Sequence, residues 1–149
     1  MFRTIVAITA ILIAVGVVAA QSNTIQKRNN LMSALWKEGL AAPFRMTKGR
    51  EPFDKEKAEA GLTKMSEIVE QLPPLWPPNS KPVPPLPKYS SSLKVWDNKP
   101  DFDAKLAKLT KSIADSRGKV TDPESLQRVV TTINQNCDGC HEAYQVRNQ

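Results

Sequence analysis

This sequence has very few of the side chains from which proteins build metal centres and nucleophilic sites. Its 149 residues include one histidine and two cysteines. Two thiols and one imidazole are too few for a closed tetrahedral zinc site, which requires four ligands. The sequence also contains nothing that resembles a poised nucleophile or a paired acid and base. We therefore predict that the protein is not an enzyme and has no catalytic residues.

Long runs of one charge are absent as well. The formal net charge is +6, from 21 Lys and Arg against 15 Asp and Glu, but the basic residues are scattered along the chain. A basic run or a basic patch interleaved with aromatic residues is typical of nucleic-acid binding, so we expect no nucleic-acid partner. The basic balance suits either an ordinary solvated surface or one that meets an acidic partner.

The scarce residues lie together in one pentapeptide near the C-terminus, Cys137-Asp138-Gly139-Cys140-His141. C-x-x-C-H is the attachment signature of c-type haem. Each thiol can form a thioether to a haem vinyl group, and the imidazole of His141 then becomes the proximal ligand of the iron. The motif predicts one covalently attached haem c. A structural disulfide and a redox dithiol remain as alternatives, although a thioredoxin-like C-x-x-C is expected at the start of a helix.

The first 20 residues have the pattern of a signal peptide. Arg3 supplies a positive start, residues 5–18 are almost wholly apolar, and Val18-Ala19-Ala20 is typical of a cleavage site. The apolar run is short for a membrane span of about 20 residues, but an uncleaved anchor remains the alternative. We predict a periplasmic protein with no stable membrane span after cleavage, and a single haem-binding domain over residues 21–149.

Apolar residues recur at helical spacing in four segments. The first is predicted from about Asn23 to Ala42, before Pro43, with Phe44 and Met46 as candidates for a kinked last turn beyond the proline. The second is predicted from Lys55 to Leu72 with Asp54 as its N-cap. The third begins after Asp97 or Asn98 and ends near Gly118. The fourth begins at 121–124, where Glu124 is a candidate for a capping box, and it includes the haem motif.

The predicted fold is all-α, an antiparallel four-helix bundle with one long crossover. No segment shows convincing strand alternation. The proline-rich residues 73–87 are predicted to form an ordered crossover pinned by Trp76, with Tyr89 and Trp96 packing soon after. Because both cysteines continue the apolar stripe of the last helix, the haem is expected inside the bundle. We predict a cavity between the first and last helices, walled by Met32, Leu35, Val130 and Ile133.

With these features in place, the chain resembles the cytochrome c′ family, the class II c-type cytochromes, whose haem motif lies near the C-terminus of a four-helix bundle. The resemblance covers essentially the whole chain after the predicted signal peptide. It rests on the order and spacing of several short landmarks: Arg28-x-x-x-Met32, Lys48-Gly49, Pro52-Phe53-Asp54, Leu72-Pro73-Pro74-Leu75-Trp76-Pro77-Pro78, Lys94-Val95-Trp96 and Cys137-x-x-Cys140-His141-x-x-Tyr144.

The resemblance implies roles for two residues of the first helix. The side chain four residues after the arginine faces the distal side of the haem, and in low-spin relatives a methionine there ligates the iron. Met32 stands at that position, so the resemblance implies Met/His ligation by Met32 and His141. By the same matching, Arg28 would pair with a haem propionate. Met46 and Met65 are alternative ligands, and Met32 as ordinary core is another interpretation.

Two departures from the family pattern are visible. The spacing from Met32 to Lys48 is one residue longer than usual, which predicts an insertion or bulge after Met32 in the first helix. Gln145 stands where the family usually carries an arginine beside the proximal haem face.

The resemblance favours a single-electron carrier that exchanges electrons with partner proteins of unknown identity. The alternative is a five-coordinate protein that binds a gas such as NO or CO. Relatives often form dimers through the first two helices, so a homodimer is compatible with the resemblance.

Overall fold

The computed structural model describes residues 21–148, so the predicted signal peptide lies outside the described residues. Residues 21–47 form one long helix, α1, in which Leu35–Leu40 is π-helical and Ala41–Thr47 is α-helical again. The other elements, in chain order, are α2 (Lys55–Val69), β1 (Tyr89–Ser91), α3 (Lys94–Asp97), α4 (Lys99–Ser116), α5 (Pro123–Tyr144) and β2 (Gln145–Arg147).

The long helices α1, α2, α4 and α5 pack as a four-helix bundle, which confirms the predicted fold class. Their inward faces carry the predicted apolar stripes, and Leu62, Ile113, Leu126 and Ile133 are at most 1% exposed. Within residues 21–148, no helix combines the length and the hydrophobicity that crossing a bilayer requires.

Two helix starts follow from capping residues. Asp54 accepts a hydrogen bond from the backbone N–H of Lys57 at 2.9 Å, as its predicted N-cap role requires. Asp122 caps α5 in the same way, and Pro123 occupies the first helical position. The partner in this capping box is Ser125 and not Glu124, because the helix begins one residue later than a cap at Thr121 would place it. Each such cap stabilises a helix by about 1 kcal/mol.

The first helix passes through Pro43. The sequence predicted an end before this proline, with Phe44 and Met46 as candidates for one further turn, and α1 does continue to Thr47. A proline normally removes an i→i−4 hydrogen bond from a helix. Here the regular ladder is already interrupted by the π-helical segment Leu35–Leu40, which directly precedes this turn. This segment agrees with the insertion or bulge predicted after Met32, since a π-helical turn accommodates one additional residue.

Two glycines bring α1 and α2 into close contact. A Cβ atom added to Gly39 would lie 2.2 Å from Cγ of Met65, and one added to Gly61 would lie 2.5 Å from the carbonyl oxygen of Gly39. Neither position has room for a side chain. The contact therefore fixes the second half of α1 against α2.

The crossover between α2 and α4 is ordered, as predicted. Two short 3₁₀ turns, Pro73–Leu75 and Pro78–Ser80, follow α2. Trp76 is 4% exposed and donates its indole N–H to the hydroxyl of Ser91 at 3.0 Å. Trp96 donates to the carbonyl of Pro77 at 3.0 Å. Tyr89, however, is 45% exposed, so the prediction that it packs was wrong.

A two-stranded antiparallel ribbon joins the crossover to the C-terminal residues, although the sequence predicted no strand. Tyr89 pairs with Arg147 and Ser91 with Gln145. Asn148 stabilises the ribbon through two hydrogen bonds. Its backbone N–H donates to the carbonyl of Lys88 at 2.9 Å, and its side-chain amide donates to the carbonyl of Pro87 at 2.6 Å. The ribbon therefore ties the end of α5 to the crossover.

The carboxylate of Glu59 on α2 links two helices that follow much later in the chain. It accepts the backbone N–H of Gly118 at 2.8 Å and of Val120 at 3.0 Å, in the turn between α4 and α5. We expect Glu59→Ala to lower the free energy of unfolding by about 1–3 kcal/mol, because it strands two backbone donors. Urea denaturation measures this. Glu67→Ala, which removes only an exposed ion pair, should cost less than about 0.5 kcal/mol; equal losses would contradict the expectation.

Candidate haem site

The last two turns of α5 carry the C-x-x-C-H motif on the face that continues the bundle core. Cys137, Cys140 and His141 are spaced by three and four residues, so they share one side of the helix. Both thiols are half-buried and neither forms a disulfide. The core residues Val130 and Ile133 precede them on the same stripe.

Two cavities meet at this face. The ribbon-side cavity, of about 330 Å³, extends toward the crossover and the ribbon, and the helix-side cavity, of about 240 Å³, extends between α1 and α4. Four residues line both cavities: Met32 from α1, Phe102 from α4, and Cys140 and His141 from α5. The predicted position between the first and last helices is therefore confirmed.

Of the four residues predicted to line the cavity, two do so. Met32 and Leu35 line the helix-side cavity, as expected. Val130 and Ile133 do not, because they lie earlier along α5, where they are 3% and 0% exposed and fill the core. Helical periodicity identifies the buried face of α5 but not the point along it at which the packed core gives way to a cavity.

Burial controls the protonation of the motif. It raises the pKa of the Cys137 thiol to about 11, with a smaller contribution from Asp138, and it also raises the pKa of Cys140. Redox-active dithiols have the opposite property, a lowered thiol pKa. Burial lowers the pKa of His141, against the opposing effect of Asp138. This lowered pKa favours the neutral imidazole at pH 7, which is the form that ligates a metal.

Arg28 is a buried cation at the edge of the ribbon-side cavity. Its side chain is 3% exposed, and Nη1 donates to the carbonyl of Leu75 at 3.2 Å. The guanidinium lies 5.3 Å from the ring centre of Trp76, and burial lowers its pKa to about 10. No carboxylate within residues 21–148 forms an ion pair with it. An arginine has five N–H donors, so this one retains capacity for an anionic group in the cavity.

A row of side chains connects Arg28 to the end of α5. The rings of Trp76 and Phe102 lie 4.8 Å apart, and those of Phe102 and Tyr144 lie 5.3 Å apart at 88°. The Tyr144 hydroxyl donates to Asp101 at 2.5 Å, and this hydrogen bond raises the pKa of Tyr144 to about 12. No sequence pattern marks Phe102 or Asp101 as a site residue, because only the folded chain brings them beside Tyr144.

The other two methionines named as alternatives lie in different places. Met65 is 1% exposed and lines the helix-side cavity together with Met32. Met46 lies at the opposite end of the bundle, beside Phe53 and Pro123. Gln145, the residue that departs from the family pattern, lines the ribbon-side cavity.

A four-helix bundle with C-x-x-C-H on the wall of a cavity between its first and last helices has the architecture of a class II c-type cytochrome. The chain belongs to the cytochrome c′ family, since residues 23–145 match the family described as Cytochrome C′. It is 34% identical over 147 residues to cytochrome c-555 of Bradyrhizobium diazoefficiens, covering 99% of both chains. It is 30% identical over 145 residues to cytochrome c-556 of Rhodopseudomonas palustris, covering 97% of both.

Solved structures show the same fold. The structural model of oxidized R. palustris cytochrome c556 superposes with a TM-score of 0.75 at 28% identity, covering 86% of this chain and 99% of that one. A cytochrome c′ from Rhodobacter spheroides gives a TM-score of 0.78 at 19% identity, covering 86% and 98%.

Covalently attached haem c, with its iron, is the cofactor of this family and therefore of this protein. The residues of the two cavities fit that group. A pair of free thiols and an imidazole line the two cavities from α5, and a thioether lines both from α1. A buried guanidinium without a carboxylate partner lies at the edge of the ribbon-side cavity.

Proposed function

We propose that this protein is an exported, periplasmic carrier of single electrons in which His141 and Met32 are the two axial ligands of the haem iron. Membership of the family makes it a haem cytochrome that carries electrons or binds gases. One observation favours electron transfer over gas binding: Met32 from α1 and His141 from α5 line both cavities together. A thioether and an imidazole therefore approach one space from two helices.

Met/His-ligated haem supplies a one-electron couple whose reduction potential is raised by the methionine sulfur. The chain's own residues supply the rest of the proposed site. Cys137 and Cys140 would hold the group covalently, and Arg28 would bind a propionate with the donors that its hydrogen bond to Leu75 leaves free. With both axial positions filled, no position is left for a substrate, so we propose no catalytic residues.

The alternative within the same family is gas binding. A protein named cytochrome c′ from R. palustris is 26% identical to this chain over 132 residues. In that case Met32 would remain one of the half-buried side chains that pack against the core, without bonding to iron. The two functions differ in a single bond, which a substitution at Met32 tests.

We expect Met32→Ala to convert the iron from low-spin to high-spin and to lower its reduction potential, because the substitution removes the soft sulfur donor. The ferrous variant should bind CO at least about tenfold more tightly than wild type, a difference of about 1.4 kcal/mol. Absorption spectra, a redox titration and CO titration of the reduced proteins measure these changes.

Two control variants sharpen this test. Met46→Ala makes the same truncation in the core at the far end of the bundle and should leave the spectrum unchanged. Met65→Leu removes the other sulfur that lines the helix-side cavity and should also leave it unchanged. Equal CO binding and identical spectra in wild type and Met32→Ala would favour gas binding. Conversion to high spin by Met65→Leu would make Met65 the ligand.

A further inference from the structure

The charged residues are unevenly distributed along the chain. None of its 15 acidic residues lies in segments 71–96 and 143–149. The same segments contain four basic residues, Lys81, Lys88, Lys94 and Arg147, and none of these forms an ion pair within the described part of the chain. Three lysines on the long helices, Lys57, Lys64 and Lys111, have acidic partners, whereas others there, such as Lys55 and Lys105, have none among the described residues, so it is the lack of acidic residues in the two segments that distinguishes them. The two segments therefore form an uncompensated positive region.

The ribbon brings both segments to the mouth of the haem site. Lys88, Tyr89 and Gln145 line the ribbon-side cavity, which Met32 and His141 line from the other side. Arg147 is the cross-strand partner of Tyr89, and the Lys88 ammonium lies 5.6 Å from the Tyr89 ring. Asp101 of α4 accepts a hydrogen bond from the neutral Tyr144 hydroxyl, so its single negative charge remains near these four basic residues.

Exposed apolar side chains accompany these charges. Tyr89 is 45% exposed and Leu86, just before it in the crossover, is 40% exposed. Tyrosine and arginine are enriched at protein interfaces, and a small apolar centre with a charged rim is typical of them. Encounters between redox proteins bury less than about 1,200 Å², so a patch of a few exposed side chains is sufficient.

We propose that Leu86, Lys88, Tyr89 and Arg147, the ribbon surface, form the docking surface for an acidic redox protein that carries carboxylates around its own cofactor. This inference rests on the proposed electron-carrier function. The uncompensated cations attract such a partner over a long range, and the exposed tyrosine and leucine supply the contact that excludes water. Docking at this surface brings the partner to the edge of the site where the iron ligands converge.

Two double variants with the same change in net charge test the proposal. Lys88→Glu/Arg147→Glu reverses the charge of the ribbon surface. Lys55→Glu/Lys119→Glu makes the same change at the other end of the bundle, because Lys55 begins α2 and Lys119 precedes α5. The first readout is the rate constant for oxidation of the ferrous protein by the anion ferricyanide. The second is the affinity of the ferric protein for poly-L-glutamate, measured by calorimetry.

We expect both the rate constant and the affinity to fall by about threefold to tenfold in the ribbon variant at low ionic strength, and by less than about twofold in the control variant. Lys88→Gln/Arg147→Gln should give an intermediate decrease while preserving side-chain size. The differences should vanish near 1 M salt, where the Debye length is about 3 Å.

Equal effects of the two charge-reversal variants would overturn the docking surface. Binding to phosphatidylglycerol vesicles without any affinity for poly-L-glutamate would overturn the assignment to a protein partner. Failure of the electron-carrier function has a different signature, because the wild-type spectrum would then be high-spin and would not change in Met32→Ala. The poly-L-glutamate measurement would still test the ribbon surface in that case.

Discussion

The double variant Cys137→Ala/Cys140→Ala is expected to lose its haem completely to acidified organic solvent, whereas wild type retains the pigment on the polypeptide. The two thioether bonds are the covalent links that C-x-x-C-H provides, and no other cysteine exists in the chain. Axial bonds to His141 and Met32, as proposed, would not survive acid, so they could not hold the group once both thiols are gone. The absorbance of the organic and aqueous phases measures the partition.

The single variants are the matched controls for this experiment. Cys137→Ala and Cys140→Ala each leave one thiol on the cavity face of α5, so each should keep the haem attached through one bond. Pigment that stays with the double variant would contradict attachment through these residues. Wild type without pigment would instead favour the haem-free alternative, a helical bundle with a disulfide or a redox dithiol.

Much of the fold could be predicted because its signals are local. Asp54 and Asp122 lie just before apolar stripes of period 3.6, and a capping side chain needs partners only two or three residues away. The C-x-x-C-H motif is equally local, since helical spacing alone places Cys137, Cys140 and His141 on one face. These features required no knowledge of how the helices pack.

The features that the sequence did not predict depend on contacts between distant segments. Each ribbon strand has three residues, too few to show alternation, and Tyr89 and Arg147 meet only after α4 and α5 have packed. The hydrogen bond from Tyr144 to Asp101 joins residues 43 positions apart. The same limit explains the misplaced cavity wall, because the periodicity of Val130 and Ile133 continues unchanged into the haem motif.

The π-helical segment of α1 lies between these two cases. Its existence followed from a spacing one residue longer than the family pattern, but the local sequence Leu35-Trp36-Lys37-Glu38-Gly39-Leu40 has no signal of its own for a π-helix. Its position is set by packing on both sides. Near its end, Gly39 fits against Gly61 of α2, and before it Arg28 is buried against Leu75 and Trp76.

Deleting Lys37 is therefore expected to remove the π-helical turn without separating these two attachments. A π-helical turn absorbs one additional residue, so the loss of one residue restores regular α-helical geometry and leaves the two halves of α1 in nearly the same orientation. Inserting an alanine after Lys37 adds a second extra residue and should instead turn the two halves by about 100° relative to each other. If the Gly39 contact keeps the second half in place, Arg28 and Met32 of the insertion variant rotate away from the cavity. Its iron should become high-spin, and its free energy of unfolding should fall by about 2–5 kcal/mol, because buried contacts of one half must be given up.

Lys37→Ala is the control for both variants, because it removes an exposed side chain and keeps the length of the helix. It should preserve both the low-spin spectrum and the stability measured by urea denaturation, and the deletion variant should preserve the low-spin spectrum. A high-spin spectrum in the deletion variant would contradict the expectation that the π-helical turn absorbs the extra residue. Loss of stability with an unchanged spectrum in the insertion variant would show that the Arg28 half stays in place and the Gly39–Gly61 contact breaks instead.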